Sequence, residues 1–443
     1  MAKATPVKIG IRREDKSEWE RRVPIVPADA QELMVEHDLQ FIVQPSEIRA
    51  FDAAAYEAVG AEVDEDLSNC RAIFAVKEVP PELLIPHTTY VFFAHVIKGQ
   101  KYNMPMLQEI LDRNCTLIDY EKVTDADGQR LIFFGRHAGW AGMLDTLWAL
   151  GKRLNWEGID NPFDDLHQAL EYDDLKAAHA AVDAAANRIR AEGVPAQLAP
   201  LVVGFAGYGN VSQGAQEIFD RLPVEEIDPF ELPDLFTGTA DRHTLYKVVF
   251  KEEHIVEPVQ PGEPFELQDY YENPEGYRSR FSDYIPYLTV LVNGVYWDDR
   301  YPRLVTKDDL RELFAGAGKP RLRVIGDISC DVEGAVEATV RCTEPGDPIY
   351  VYDPATGETT DGHAGEGVVI LAVDILPSEL PREASTDFSQ ILRPFVPAIA
   401  LADYTVPFRA LDLPPEIQRA VITHQGQLTP DYAYLEAYLP PLE

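Results

Sequence analysis

Residues 201–219 read LVVGFAGYGNVSQGAQEIF, an apolar run that breaks on glycines and opens into a helical pattern, and no other stretch restricts the fold so much. A continuous apolar run bounded by glycine suits a strand covered on both faces. Gly207, Gly209 and Gly214 then enter the helix, where a turn without side chains lets backbone N–H groups approach a pyrophosphate at the positive helix end. Asn210 and Val211 lie in the same turn. The spacing is GxGxxxxG, with Ser212 where the usual fingerprint has its third glycine. Strand, turn and helix together favour dinucleotide binding over a merely tight turn. Asp228, about 20 residues on and following PVEEI, is the candidate partner of a ribose 2′-hydroxyl, against the alternative of an exposed loop acid. NAD against NADP stays open on these residues.

The same alternation runs through the rest of the chain. Strand-like VKIGI (7–11), FIV (41–43), AIFAV (72–76), YVFFA (90–94) and TLID (116–119) are separated by helical patterns at 27–38, 51–61 and 104–114. A long apolar helix (138–154) and a charged, Ala-rich section to about residue 192 read as a connecting helical segment. Further strands are expected at 248–250, 288–293, 321–328 and 368–373, around a Pro-, Tyr- and acid-rich insert (252–283) without clean periodicity. The tail holds one apolar helix candidate, FSQILRPFVPAIALA, followed by Pro-rich loops. Buried strands alternating with helices make this an α/β chain, and its 443 residues suit two or three domains at roughly 150 residues each.

Charge limits the partners. Asp and Glu number 75 against 39 Lys and Arg, a formal net charge of −36, so phosphate backbones and anionic lipid are repelled. With 26 Arg and 13 Lys, the balance also fits an acidic, halophile-like surface. Cys70, Cys115, Cys330 and Cys342 are widely spaced, with no CxxC pair and no metal-like His cluster, which predicts structural thiols and no metal. The N-terminal stretch lacks an apolar signal core, and no apolar run approaches the roughly 18 residues that span a bilayer, so a cytoplasmic protein is expected.

Ligands of open parallel sheets bind beyond the carboxyl ends of the strands. Lys77 follows AIFAV, His95 follows YVFFA, and the loop after VKIGI carries Arg12, Arg13, Arg21 and Arg22. A partly desolvated Lys flanked by arginines loses proton affinity and can act as a base near neutral pH, and His is already in that range. The competing readings are a snorkelling Lys77 paired with Glu78, a hydrogen-bonded core His95 and a solvated arginine loop. Arg22, followed by Val23 and Pro24, reads as held inward. Glu121 and Arg130 add both signs of charge, a set that suits a zwitterionic amino acid together with a dicarboxylate taken by guanidinium forks.

With these residues in view, the sequence resembles the lysine-ketoglutarate reductase domain of aminoadipic semialdehyde synthase, within the saccharopine dehydrogenase and alanine dehydrogenase superfamily. The matching stretches include IGIRREDKSEWERRVPIVP, AVKEVP, FFAHVIKGQKYNMPMLQEILDRNCTLIDYE, GYGNVSQGAQEIF, YRSRF, GVYWD, GDISCD and LPSELPREAS, and they run over nearly the whole chain. The resemblance implies two Rossmann-like doubly wound domains with an interdomain cleft. The substrate domain would be 1–140 plus 382–443, similar to the alanine dehydrogenase N-terminal domain, and the nucleotide domain 141–381. It implies reductive condensation of L-lysine with 2-oxoglutarate to saccharopine with NADP(H), NAD(H) being the alternative. By motif matching, Lys77 and His95 fall on the acid/base pair, Arg22 on a carboxylate-binding arginine, and Asp331 in GDISCD on an acid lining the cleft. Glu121 and Arg130 fall at substrate-binding positions, and LPSELP around Leu376 near the nicotinamide. An NAD-dependent lysine-forming saccharopine dehydrogenase, an alanine-dehydrogenase-like enzyme and a non-catalytic nucleotide-binding protein are the alternatives. Fused reductases carry a second, glutamate-forming dehydrogenase domain, whereas this sequence ends at Glu443, so either a separate partner enzyme cleaves saccharopine onward or the protein runs in the other direction; a homo-oligomer is left open.

Overall fold

A computed structural model describes residues 5–238, 241–316 and 318–440. The chain divides into two compact units, Met1–Phe134 with Pro381–Glu443, and Gly135–Leu380. In chain order the first unit contributes β1 (Val7–Ile11), α1 (Pro27–Glu36), β2 (Leu39–Val43), α2 (Ala53–Ala58), β3 (Glu62–Val63), β4 (Ala72–Phe74), β5 (Thr89–Phe92), α3 (Met104–Asp112) and β6 (Thr116–Asp119). The second contributes α4 (Gly135–Trp156), α5 (Leu175–Glu192), β7 (Val202–Ala206), α6 (Asn210–Phe219), β8 (Val224–Glu226), β9 (Leu245–Phe250), β10 (Val256–Pro258), β11 (Tyr277–Ser279), β12 (Val290–Asn293), β13 (Val324–Asp327), β14 (Ile349–Tyr352), β15 (Thr359–Asp361) and β16 (Val368–Leu371). The chain then returns to the first unit with β17 (Val421–His424) and β18 (Gln427–Leu428).

The first unit's sheet runs β18-β17-β6-β5-β4-β1-β2-β3, with β1 to β6 parallel and the two C-terminal strands antiparallel. From β1 the chain builds β2 and β3 on one side, then crosses to β4, β5 and β6 on the other. The topological switch point therefore lies between β1 and β4, where open α/β sheets bind ligands. Ile9 and Ile11 in β1 and Phe74 in β4 are completely buried, as a strand covered on both faces requires. Pro27 starts α1 at a position whose N–H would be unpaired in any case.

Two expectations for the tail change. The single helix expected there is a longer helix, Pro381–Leu392, then a 3₁₀ turn and a short helix, Val396–Leu401. Pro394 and Pro397 remove the donors that a continuous helix would need. The Pro-rich loops also contain the four-residue strand β17, which pairs antiparallel with β6 through Val421 and Thr423.

The second unit's sheet runs β15-β14-β16-β13-β12-β7-β9-β8, parallel except for β14 and β15. Its switch point lies between β7 and β12. The Ala-rich section is not a connector: α5 buries Ala178, Val182, Ala185, Ala186 and Ile189 in the same core as α4 and the sheet. The aperiodic insert folds into the ribbon β10–β11 and an aromatic cluster, in which Tyr270 meets Tyr277 and Tyr301 at ring separations of 5.3 Å. Ring-edge packing of this kind leaves no period of 2 or 3.6 to read.

Helices α4 and α6 touch backbone to backbone. A Cβ on Gly139 would lie 2.1 Å from the Val211 carbonyl oxygen, and one on Gly214 would lie 2.2 Å from that of Arg136.

The second core also encloses two acids. Asp145 and Glu379 are buried with their carboxyls facing each other, and Asp145 Oδ1 also accepts the Ala169 N–H at 2.7 Å. Burial pushes Asp145 up to about 6 and Glu379 well above the carboxylate range, the latter also by the charge of Asp145, so the pair shares a proton. Both groups bind protons more tightly folded than unfolded. Their contribution is thus complete below the unfolded carboxylate value and is lost as pH rises through about 6 and beyond. Glu379→Gln supplies a permanent donor and is expected to flatten the decline of melting temperature between about pH 5 and about pH 8; an unchanged slope would show that the pair does not share a proton.

Candidate functional site

Four strand ends of the first unit carry the chemistry. The loop after β1 brings Glu14, Glu20 and Arg22, β4 is followed by Lys77 and Glu78, β5 by His95, and β6 by Glu121. Glu14 is buried, and its carboxylate accepts the backbone N–H of Val76 at 2.7 Å and of Lys77 at 2.9 Å. It therefore fixes the strand end from which Lys77 projects. Burial, with Glu20 adding to it, pushes Glu14 up to about 7.

Lys77 is half-buried, and among the described residues no ion pair or hydrogen bond engages its ammonium. Among the described residues no ion pair joins it to Glu78, whose carboxylate accepts instead from Lys16 at 2.8 Å, His95 Nδ1 at 2.7 Å and Asn103 Nδ2 at 3.0 Å. Burial, then the Arg22 charge, lowers the proton affinity of Lys77, with Glu20 and Glu78 opposing. The site thus holds an amine that gives up its proton more readily than a surface lysine does.

His95 is not a core histidine, for its side chain is 28% exposed. Burial alone would raise Glu78, yet the bonds from His95 and Lys16 hold it well below the usual carboxylate range, so it only accepts. His95 Nδ1 must therefore carry a proton, which leaves Nε2 as the other exchanging atom. The ring stacks on Phe93, 6.3 Å away, and the residue sits at φ +48°, a left-handed conformation that few side chains adopt. The sequence offered Glu78 only as a partner of Lys77 and did not single out Asn103 or Lys16, since nothing in it marks the convergence of Lys16, Asn103 and His95 on the Glu78 carboxylate.

Arg22 is held inward as expected, 4% exposed, with Nε 2.7 Å and Nη2 2.5 Å from the Glu20 carboxylate and its guanidinium 4.4 Å above the Phe134 ring. Its side-on fork is already occupied, so it does not offer the open bidentate fork expected of it. Arg12 pairs with Asp15 and Arg13 with Glu65, which makes that part of the loop structural. Arg130 is 44% exposed and lies 3.9 Å from Glu121, whose Oε2 is buried without a donor. Beside them burial, and then Glu121, push Asp119 up to about 7.

In the second unit the glycine turn forms at the switch point. Gly207 has φ +90° and donates to the Phe250 carbonyl at 2.9 Å. Gly209 precedes α6, whose first turn no side chain caps. A Cβ on Gly209 would meet nothing within 4 Å, so space is left over the helix end. A cavity of about 430 Å³ opens there, lined by Tyr208, Glu252, Gly294, Tyr296 and Trp297. Asn210 is exposed and Val211 half-buried in the first helical turn. These features fit a dinucleotide: open N–H donors, a positive helix end and aromatic walls.

Three cofactor expectations change. Gly214 faces α4 in the helix contact described above and does not line the turn's cavity. Asp228 stands past the end of edge strand β8, exposed and capping a 3₁₀ turn through the Phe230 N–H at 2.8 Å. The neighbour of β7 is β9, and Glu252 stands two residues past the end of β9, beside the glycine turn; its Oε1 accepts the hydroxyls of Tyr271 at 2.8 Å and Tyr208 at 3.4 Å. Leu376 is 1% exposed and packed in the core, which leaves only its main chain for a ligand. Asp331 is exposed in the second unit, in the loop after β13.

The family model described as "Alanine dehydrogenase/PNT, N-terminal domain" matches residues 10–141, and that described as "Alanine dehydrogenase/PNT, C-terminal domain" matches residues 278–431. Alpha-aminoadipic semialdehyde synthase of Arabidopsis thaliana is 38% identical over 96% of this chain and 41% of its own length. The mitochondrial protein of that name from Mus musculus is 36% identical over 97% of this chain and 47% of its own. The chain thus spans less than half the length of these relatives. Saccharopine dehydrogenase [NAD(+), L-lysine-forming] of Yarrowia lipolytica is 26% identical over 88% of this chain and 91% of its own length. Among solved structures, an L-alanine dehydrogenase aligns over 98% of this chain and all of its own with a TM-score of 0.60 and 16% identity, which supports the two-domain Rossmann-like fold. Among the described residues, no helix is long and apolar enough to cross a membrane.

Proposed function

The chain belongs to the alanine dehydrogenase/PNT family, and from that premise we propose that it condenses L-lysine with 2-oxoglutarate and reduces the imine to saccharopine with a nicotinamide dinucleotide. The observation that carries this reading is the Lys77 site: an amine with lowered proton affinity and no ion pair among the described residues, next to a carboxylate that orients His95.

Both substrates arrive charged. The lysine side-chain ammonium must lose a proton before nitrogen can attack the keto carbon, and neutral Lys77 takes it. The carbinolamine then loses its hydroxyl as water, with His95 Nε2 supplying the proton. A bound nicotinamide contributes one thing, a hydride to the imine carbon, and the nitrogen ends as a secondary amine. Arg130 and Glu121 offer opposite charges to a carboxylate and an ammonium of the substrates. Arg22, buried against Glu20, acts by charge on Lys77.

The assay is loss of NAD(P)H absorbance with lysine plus 2-oxoglutarate, set against pyruvate plus ammonium. Turnover is expected only with the first pair. Turnover only with the second would make the chain an alanine-dehydrogenase-like enzyme, and cofactor binding without either would make it a non-catalytic nucleotide-binding protein.

The resemblance implied NADP(H), but Glu252 supports NAD(H). A carboxylate at the end of the strand beside the glycine turn accepts a ribose hydroxyl and repels a 2′-phosphate. NADH is therefore expected to bind at least about tenfold more tightly than NADPH, and Glu252→Gln to narrow that ratio, both by fluorescence titration. Equal affinities in the unaltered protein would remove Glu252 from this role.

A further inference from the structure

Cys330 and Cys342, twelve residues apart and unremarkable as a sequence pattern, place their sulfurs 3.4 Å from each other. Cys342 is exposed and Cys330 is buried behind it, donating to the Ala372 carbonyl at 2.7 Å. Cys330 sits in the loop directly after β13, at the carboxyl edge of the sheet, next to Asp331. Its φ of +53° is rare for a side chain with a Cβ, and its N–H donates to Asp327 Oδ1 at 3.2 Å. Such a conformation persists where the surroundings hold it, and it is here that the two thiols are presented to each other. The other two cysteines, Cys70 and Cys115, are buried and have no thiol partner.

We propose that Cys330 and Cys342 form a redox-active dithiol that low-molecular-weight disulfides oxidise to an intramolecular disulfide, fixing the loop that carries Asp331. Exposed Cys342 attacks as thiolate on one sulfur of the small disulfide, forming a mixed disulfide and releasing one small thiolate. The Cys330 sulfur then attacks the Cys342 sulfur, its proton passing to the second departing thiolate. Two protein thiols are oxidised and one small disulfide is reduced to two thiols, so atoms and electrons balance. Cys342 is the natural first nucleophile, since it is exposed, while the adjoining Cys342 sulfur and then burial raise the proton affinity of Cys330 behind it. Closing the bond brings the sulfurs to about 2.05 Å and breaks the contact to Ala372, so the loop must shift.

The test oxidises the folded, full chain with hydroxyethyl disulfide, then unfolds it, alkylates the remaining thiols and maps the peptides by mass spectrometry. Two alkylated cysteines, Cys70 and Cys115, and a peptide linking Cys330 to Cys342 are expected. Four alkylated cysteines, or a lasting adduct on Cys342 alone, would overturn the proposal. Cys342→Ser is expected to leave Cys330 alkylated after the same treatment; oxidation of Cys330 in that variant would also count against the pair. A second readout rests on the proposed reaction: oxidation should lower turnover at least about tenfold, reversibly with dithiothreitol, because shifts near 1 Å can cost up to about 100-fold. Unchanged turnover in the mapped disulfide form would overturn the coupling to the loop. Absence of turnover in the reduced protein would instead overturn the proposed reaction and leave the disulfide map standing.

Discussion

Lys77→Met is expected to lower turnover by at least about 100-fold while leaving dinucleotide affinity unchanged. Methionine keeps an unbranched apolar stem in the half-buried slot and removes only the nitrogen that takes the proton. The ring of contacts around it does not depend on that nitrogen: Glu78 stays bound to Lys16, His95 and Asn103, and Glu14 bonds the backbone of residue 77. The glycine turn belongs to the other unit, so cofactor titration is an internal control for folding. The pH profile adds a second readout. In the unaltered enzyme kcat should fall on the acid side as Lys77 becomes protonated, at a pH below that of an ordinary amine because burial and Arg22 disfavour the charge. That limb should vanish from the residual activity of the variant. Unimpaired turnover, or an unchanged acid limb, would assign the proton transfer to another group.

The sequence made some of this site legible and hid the rest, for reasons that differ by residue. Lys77 and His95 stood out because buried runs point to their own ends; β1 and β6 run over the residues that their apolar patterns predict, whereas β4 and β5 close at Phe74 and Phe92, two residues short of the expected runs. Glu14 could not be found in the same way. It bonds the N–H of Lys77 from 63 positions away, and only the crossover from β3 to β4 brings the two loops together. The same holds for the proposed ribose acid, Glu252. Spacing pointed to Asp228, but spacing counts residues, whereas the sheet places β9 between β7 and β8. Periodicity reports what an element is and is silent about its neighbours. Cys330 and Cys342 illustrate this again, since a loop folding back on itself joins two thiols that no spacing rule would pair.

Gly139→Ala should damage the second unit more than any surface change, and it does so through geometry alone. The new methyl carbon would stand 2.1 Å from the Val211 oxygen and 2.6 Å from the Ala215 nitrogen, both main-chain atoms of α6. Backbone cannot rotate out of the way as a side chain can, so α4 and α6 must separate. Overpacking of this kind costs about 3 kcal/mol or more, which for a unit of this size lowers the melting temperature by roughly 6 to 12 °C. The first turn of α6 moves with its helix, and the N–H donors of Asn210 and Val211 leave the position that a pyrophosphate would need. Dinucleotide affinity is therefore expected to fall at least about tenfold. Gly209→Ala separates the two consequences. At φ −76° with nothing within 4 Å of its Cβ, alanine fits there without strain, so the melting temperature should hold while affinity still drops, because the methyl fills the space over the helix end. If Gly209→Ala binds the dinucleotide as well as the unaltered chain does, the turn is only a tight corner in the backbone and the cofactor lies elsewhere.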